Sequence, residues 1–513
     1  MPTIPILGLP STDVVPGQYA QVNFAQGAAG GSSGLRKALI IANFTSADGI
    51  ATADTLYGPD TPVVLASDAD AVALFGKRSE ARIAYKRFVR ANGVTPVYVL
   101  TVADPAGTAA KLAITFTGTA TATGFVRVYC GDRFVDVLIS TGDTPTIIAT
   151  ACAAAVNSQQ DWPVVGSFLA GVLTMTAAQT GVRGNWLRGS ARVYGAGVGV
   201  TSSATAQGFF TLGATVDTWT TALTKIIASR FYYIVSACDG GQADTGLLAL
   251  ATQVSSQGQA ATGIRQRIFV GSVDTNANTI TIAASATKGN NARVEYINGP
   301  AFDRTPLELA AEAAGAYALL ESSSVPECNF NGLGSDANTS FLWTVPAPLN
   351  AAAMTHPNMV ASLASGVTPI GVGANGGSYI VKRITSYCST NSQADYRIRD
   401  AHKVTVCDFF ADDLITRGSA AMSRKVLGDD PKNGQPIRVP NLISPREITA
   451  IAQKLTREYG DNGLLQDVQN TIDGISTIRD STAPTRTITR VQPKPSDISD
   501  QQVWVIDQLS FTG

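Results

Sequence analysis

Histidine is almost missing from this chain: only His356 and His402 occur in 513 residues. That shortage removes most hydrolytic chemistry. A Ser–His–Asp triad needs an imidazole within reach of a nucleophile presented on a special turn, and the sequence's G-x-S-x-G match, Gly30–Gly34, falls in the glycine-rich Gln26–Gly34 stretch rather than between a strand and a helix. His356 falls in the loop-like Thr355–His356–Pro357. His402 falls in Arg397–Ile398–Arg399–Asp400–Ala401–His402–Lys403, which reads as a basic, solvated helix start. Cysteine is sparse as well. Positions 130, 152, 238, 328, 388 and 407 lie far apart, with no C-x-x-C and no histidine at ligand spacing. Such spacing excludes a zinc motif or a disulfide framework and fits buried thiols made in a reducing cytoplasm. No apolar run approaches the ~20 residues that cross a bilayer, so no membrane insertion is expected. The opening Met1–Val14 has neither a basic n-region nor an apolar h-region, so no secretion signal is expected. Charge is scarce too, at 15% of residues, with a formal net charge of −1. General nucleic-acid binding needs a basic face to displace counterions, and a chain with no excess of cations argues against it, so nucleic acid is not an expected partner. Low charge density suits a protein that covers much of its outside with copies of itself, and it also suits an Ala/Thr/Gly-rich β protein.

Phosphate and metal motifs fail on their contexts. Gly371–Gly377 lacks the Lys–Ser/Thr ending of a phosphate loop and leads into the strand-like Ser378–Ile384, so it reads as a hairpin. Gly195–Ala196–Gly197–Val198–Gly199 has no helix signal after it. Asp412–Asp413 sits inside a helix pattern, where adjacent residues point about 100° apart and do not converge on one ion. Solvated faces are the expectation for that pair and for Asp429–Asp430. No catalytic residue, cofactor or metal is expected.

What the chain does have is a strand on a tether at each end. Gly17–Phe24 carries good strand formers, among them Tyr19, Val22 and Phe24. It runs straight into Gln26–Gly34, whose Gly27, Gly30, Gly31 and Gly34 make a flexible linker. Fully extended, those nine residues reach about 30 Å. At the other end Gln502–Phe511 holds Val503, Trp504, Val505, Ile506, Leu509 and Phe511. It is reached through Gln492–Asp497, where Pro493 and Pro495 favour an extended spacer. A tethered strand completes its backbone hydrogen bonds by adding to a sheet edge, and that edge need not belong to its own chain. Termini commonly fold back on their own domain. Two strand-like arms, each behind its own tether, favour exchange between subunits and a polymerising structural protein over an enzyme.

Between the arms the chain alternates. Leu35–Ala42 is a doubly buried type of strand, Ser67–Asp70 opens a helix, and Pro96–Val102 returns as strand. Phe125–Cys130 and Phe134–Ile139 alternate with period two around a Gly131–Asp132 turn, and Thr144–Pro145 opens a helix before strand Val172–Thr176. Alternation resumes with a helix Trp219–Ala228, strand Phe231–Val235, helix Thr245–Gln257 and strand Gln266–Val270. Thr305–Glu308 forms a capping box for a helix to Glu321, and Ser378–Tyr387 reads as a strand. Ser444–Glu447 caps a helix whose Ile448, Ile451, Ala452, Leu455 and Tyr459 share one face. Strands each followed by a helix predict an α/β core with a mostly parallel sheet covered on both faces, interrupted by an α+β insertion. The expected organisation is an arm and linker at 1–34, a discontinuous core at 35–104 plus 212–412, the insertion at 105–211, a C-terminal α+β domain at 413–491, and a linker and arm at 492–513.

In this order the chain resembles the tail sheath proteins of Mu-like contractile-tailed bacteriophages. The resemblance is carried by Val15–Pro16–Gly17–Gln18–Tyr19, Leu35–Ile41, Ala73–Leu74–Phe75–Gly76 and the insertion. It continues with Ile384–Thr385–Ser386–Tyr387 ahead of Ser389–Thr390–Asn391, the capped helix at 444–459 and the terminal strand. Residues 188–217 have no counterpart in it. The resemblance implies a subtilisin-like arrangement of the core, a statement about fold that brings no catalysis. It also implies stacked, hexameric rings around an inner tube, middle domains facing outward, and arms that add to sheets in neighbouring C-terminal domains. The strand carrying Thr487, Ile488, Thr489 and Val491 is the sheet partner so implied. Further partners would be the tail tube, baseplate and tail terminator proteins, in a virion assembled in the host cytoplasm. The rival readings are another tube or baseplate component of a contractile injection system and a multidomain α/β hydrolase or nucleotide-binding enzyme.

Overall fold

The structure, a computed structural model, describes residues 36–43, 61–205, 207–217, 219–237, 245–259, 262–285, 288–323, 354–372, 378–391, 393–430, 441–483 and 485–497. The chain opens with β1 (Ala38–Asn43), β2 (Pro62–Leu65), α1 (Asp68–Phe75), α2 (Glu80–Ala91) and β3 (Val97–Val102). Then come β4 (Ala109–Thr117), β5 (Gly124–Cys130), β6 (Arg133–Ile139), α3 (Pro145–Ser158), β7 (Val164–Leu169), β8 (Val172–Thr180), β9 (Gly189–Tyr194) and β10 (Gly199–Ser202). The third stretch holds α4 (Thr220–Thr224), β11 (Tyr233–Ala237), α5 (Thr245–Gln257), β12 (Arg267–Ser272), α6 (Asn276–Ala283), β13 (Val294–Asn298), α7 (Pro306–Ser323), α8 (His356–Ala364), β14 (Val367–Val372) and β15 (Ser378–Ile380). After β16 (Ser389–Thr390) and β17 (Gln393–Ala394) runs the long α9 (Ala401–Met422), followed by β18 (Val426–Leu427), β19 (Leu442–Ile443) and α10 (Pro445–Asp461). The last described elements are β20 (Leu465–Gln466), α11 (Val468–Asp473), β21 (Ser476–Arg479), β22 (Thr487–Arg490) and β23 (Lys494–Pro495).

An eight-stranded sheet in the order β15-β14-β13-β12-β11-β1-β3-β2 forms the centre. Neighbours from β14 through β3 pair parallel, and only the edge strands β15 and β2 pair antiparallel. Strand β1 shows why the sheet is buried on both sides. Its Ala38, Ile40 and Ala42 pack in one cluster with Phe75 of α1, Phe88 of α2 and Tyr317 of α7. Its Leu39 and Ile41 pack in a second cluster with Leu223 of α4, Leu250 of α5 and Ile282 of α6. Alternate side chains of a strand point to opposite faces, so an unbroken apolar run needs helices on both. Each such Ile or Leu, taken fully out of water, contributes roughly 1.5–3 kcal/mol.

Residues 109–202 build two small sheets, β10-β4-β8-β7 and β6-β5-β9, around a cluster of their own that runs from Ala110 to Phe210. The turn Gly131–Asp132 brings Cys130 opposite Arg133, with Gly131 at φ 60°, a conformation glycine adopts without strain. Thr144 accepts a hydrogen bond from the Ile147 amide and opens α3. The segment at 188–217, unassigned by resemblance, supplies β9, β10 and the Arg188↔Phe209 and Lys111↔Thr211 bridges.

Two expected elements are shorter than their patterns. The helix at Trp219–Ala228 ends at Thr224. The β-branched Thr220, Thr221, Thr224, Ile226 and Ile227 lower its propensity. The strand expected over Ser378–Tyr387 stops at Ile380, because Arg383 beyond it turns inward to buried carboxylates on β13 and α7.

Candidate functional site: an ion-paired joint at the roots of the chain ends

Helix α9 carries two faces. Val406 and Phe410 pack with Leu455 and Tyr459 of α10 and Leu465 of β20, which fastens the C-terminal elements to it. Thr405, Asp408 and Asp412 form the other, polar face. That face meets arginines standing just ahead of the parallel strands: Arg36 before β1, Arg230 before β11, Arg265 before β12 and Arg293 before β13. Arg293 grips Asp408 with both terminal nitrogens at 2.9 and 3.0 Å, and the Tyr232 hydroxyl donates to Asp408 at 3.2 Å. Arg265 donates to Asp412 at 2.8 Å, and Arg230 joins the same carboxylate. A second tier lies deeper. Arg383 donates to Glu295 at 2.9 Å and to Glu321 at 2.7 Å, Arg267 pairs with Glu295 and Thr405, and Tyr233 donates to Glu321 at 2.7 Å. Arg267, Arg383, Glu295 and Asp408 are each 0% exposed.

Burial alone would raise these carboxyls, but Arg293 and Arg265 hold Asp408, and Arg383 and Arg267 hold Glu321, below the usual carboxylate range. Burial raises the Tyr232 and Tyr233 hydroxyls, which stay protonated donors. An internal ion pair adds little net stability over an apolar pair of the same shape, yet removing one partner costs about 3–5 kcal/mol because a charge is left unpaired in low dielectric. The joint therefore fixes the angle between sheet and α9 more than it adds stability. This corrects the solvated reading of Asp412–Asp413. Asp412 is buried among Arg36, Arg230 and Arg265, and Asp413 accepts from the Tyr459 hydroxyl at 2.8 Å.

His402 also departs from expectation. It is 4% exposed, and its Nε2 lies 3.1 Å from the Ser496 carbonyl oxygen, to which it donates. Burial pushes its pKa down to about 4, so the ring is neutral at ordinary pH and the basic look of its neighbours is misleading. The peptide it holds was expected to be a free spacer and is instead a strap. Lys494–Pro495 pairs antiparallel with Leu465–Gln466, the Ser496 amide donates to the Leu464 carbonyl at 3.1 Å, and Lys403 pairs with Asp497 at 2.6 Å. Pro495 tolerates this edge position because it has no N–H to leave unpaired, and its ring is buried there. Just ahead of Pro493, the Gln492 carbonyl accepts from the Thr471 hydroxyl at 3.4 Å. So Pro493 and Pro495 belong to a segment that is docked as far as Asp497, the last described residue.

Thr487, Ile488 and Thr489 form β22, paired antiparallel with β21 through Ile478↔Ile488, and Val491 packs against the apolar cluster of α9 and α10. Among the described residues this ribbon has two strands, which leaves one backbone edge of each without a strand partner. Tyr19, Val22, Phe24, Gly27, Gly30, Gly31, Gly34, Val503, Trp504, Val505, Ile506, Leu509 and Phe511 lie outside the described residues.

A separate clamp fastens the 109–202 sheets to the core. Asp132, at the β5–β6 turn, accepts from Arg87 at 2.8 Å and Arg304 at 2.6 Å, and Arg133 reaches Glu308 at 2.7 Å. Glu308 also closes the capping box of α7 with the Thr305 amide at 3.0 Å. Among the described residues no three His, Cys, Asp or Glu side chains converge as a metal site, and no helix is long and apolar enough to cross a membrane. Burial pushes the Cys130 and Cys152 thiols up to about 12, far from a nucleophilic thiolate.

No family model matches the chain. Over 178 residues it is 26% identical to the Mu-like prophage FluMu tail sheath protein of Haemophilus influenzae, a match that covers 34% of this chain and 35% of that protein. The chain thus aligns with about a third of that relative's length, and the relative is of the family the sequence resembles. Among solved structures, the sheath tail protein Lin1278 of Listeria innocua superposes with a TM-score of 0.45 at 11% identity, over 91% of this chain and 94% of that one. The sheath tail protein DSY3957 of Desulfitobacterium hafniense gives 0.43 at 11% identity, over 94% and 100%. The anti-feeding prophage helical sheath in its contracted state gives 0.44 at 10% identity, over 97% and 100%.

Proposed function

We propose that this chain is the structural subunit of a contractile phage tail sheath. In this reading it polymerises as stacked hexameric rings around an inner tail tube, and neighbours are linked by exchanged N- and C-terminal strands. Contraction moves each body rigidly and drives the tube through the host envelope. The observation that carries the reading is the sequence similarity to a Mu-like tail sheath protein. Two features support it. The β21–β22 ribbon offers backbone edges of the kind an incoming strand completes. The buried ion pairs make sheet, α9 and C-terminal elements one unit that resists bending, as a body moving between two packings requires. The partners in this reading are other copies, the tube, the baseplate and the tail terminator, in a particle assembled in the host cytoplasm. Strand links of about five hydrogen bonds, at ~0.5–1.5 kcal/mol each, are weak singly and become durable when two per subunit act in a lattice.

Electron microscopy of the purified chain tests it: rings or tubes are expected, and a dispersed monomer with a ligand-dependent melting shift would overturn it. Deleting 1–25 or 502–513 is expected to leave a folded body that no longer polymerises. Loss of the body's own fold on deletion would place the arms in their own core.

A further inference from the structure

We infer that α9 is the common anchor of both terminal arms, with Arg36, His402 and Lys403 as its positioning residues. At the N-terminal root, Arg36 stands two residues ahead of β1, and its guanidinium is sandwiched between the Tyr232 ring at 3.5 Å and the Phe409 ring of α9 at 3.8 Å. Its nearest carboxylate, Asp412 of the same helix, lies at 3.6 Å, and among the described residues its side-chain nitrogens make no hydrogen bond. Two rings and one charge therefore hold it, and two of those three come from α9. At the C-terminal root, His402 and Lys403 of α9 take the Ser496 carbonyl and the Asp497 carboxylate. Asp400, just ahead of the helix, pairs with Lys403 at 3.5 Å and so steadies the second contact.

The two roots are far apart along the chain and close along the helix. From 402–403 to 409–412 is two to three turns, roughly 10–15 Å at 1.5 Å per residue. The face between them is locked to the sheet through Thr405 and Asp408. A pull entering at one root reaches the other through a helix that cannot tilt without stranding a buried charge, and the 109–202 sheets stay off that path. This anchor gains its use from the proposed strand exchange, where each subunit is pulled by both ends. The contacts themselves exist in the single chain.

Amide hydrogen exchange on the unassembled full-length protein tests the coupling, with the Ser496 amide, which donates to Leu464, and the Ala38 amide, which donates to Pro96, as reporters. Arg36→Met is expected to speed exchange at Ser496 about fivefold or more, and Lys403→Met to do the same at Ala38, since coupling through one element is reciprocal. Asp136→Asn in the insertion should leave both reporters unchanged. If each variant alters only the amide at its own root, α9 does not couple them and the inference fails. Lys403→Met keeps the test sound should Arg36→Met fold poorly, because Lys403 lies at the helix rim. Absence of tubes in microscopy would strike the sheath reading and leave this result standing. Wild-type tubes matched in urea resistance by tubes of the double variant would strike the anchor alone.

Discussion

Replacing Asp408 by alanine is the sharpest single perturbation of the joint. The substitution removes the two-pronged Arg293 contact at 2.9 and 3.0 Å and the Tyr232 hydrogen bond at 3.2 Å. It leaves Arg293 and Arg265 enclosed with a carboxylate fewer between them. Stranding a buried charge costs about 3–5 kcal/mol, which at roughly 2–4 °C per kcal/mol lowers the melting temperature by about 6–20 °C. The loss should depend on pH with a definite sign. Burial opposes ionisation of Asp408, but Arg293 and Arg265 hold its carboxyl below the usual range. A depressed folded pKa means a contribution present above the unfolded value of about 3.9 and lost as pH falls through the folded value. Scanning calorimetry at pH 7 should therefore separate wild type from Asp408→Ala widely, and the gap should narrow below about pH 4. Combining Asp408→Leu with Arg293→Met should recover part of the loss, because Arg293 then leaves no charge behind while Arg265 keeps Asp412 at 2.8 Å. A cost under about 1 kcal/mol for Asp408→Ala, the value of an exposed pair, would refute the account of α9 as an ion-locked joint.

Asp104 offers the opposite sign. Burial, aided by Asp217 and Glu80, pushes its pKa up to about 7, so its contribution is full below the unfolded value of about 3.9 and lost as pH rises through 7. Asp104→Asn should gain of order 1–3 kcal/mol over wild type at pH 8 and nothing at pH 4, read as urea midpoints. Gly271 lies where β12 meets α7, and a Cβ there would sit 1.7 Å from the Pro306 carbonyl oxygen. Gly271→Ala should cost roughly 1–3 kcal/mol or more in the same melts. Asn157 holds both backbone groups of Gly166 at 2.8 Å and so occupies the open edge of β7. Asn157→Ala should cost about 1–3 kcal/mol and raise light scattering on standing, since an uncovered edge templates pairing.

Local chemistry was legible wherever the partner lay nearby in sequence. The Gly131–Asp132 turn, the Thr144 cap, the Thr305–Glu308 box and the apolar face of α10 each need only a few residues to declare themselves, and each appears as read. The joint was not legible because its charges come from distant places: Asp408 and Arg293 are 115 residues apart, Arg87 and Glu308 221. From sequence alone Asp412–Asp413 and His402 look like ordinary solvated helix residues, and only tertiary packing reverses that. One signal of the joint does stand in the sequence. Arginine recurs just ahead of apolar strands, at Arg36, Arg230, Arg265 and Arg293. A cation there has no role in a strand end exposed to water, so its repetition marks something acidic lying across the start of the sheet. The C-terminal strap is not legible in the sequence for a related reason. Pro493 and Pro495 are compatible with a free extended spacer and with an edge-paired one, and the choice is made by Gln466 and His402 elsewhere.

The scarcity of charge now acquires a physical role. Only 15% of residues are charged, yet arginines and carboxylates are well represented in the interior, at the α9 joint and at the Asp132–Glu308 clamp. Charges used inside are charges withheld from the outside, which leaves a surface with little long-range repulsion between copies. The same inward placement makes the body hard to deform, since any bend at either joint strands a buried ion. The proposed sheath subunit, packing against itself in two arrangements without changing shape, would need both properties, and one set of residues would supply them.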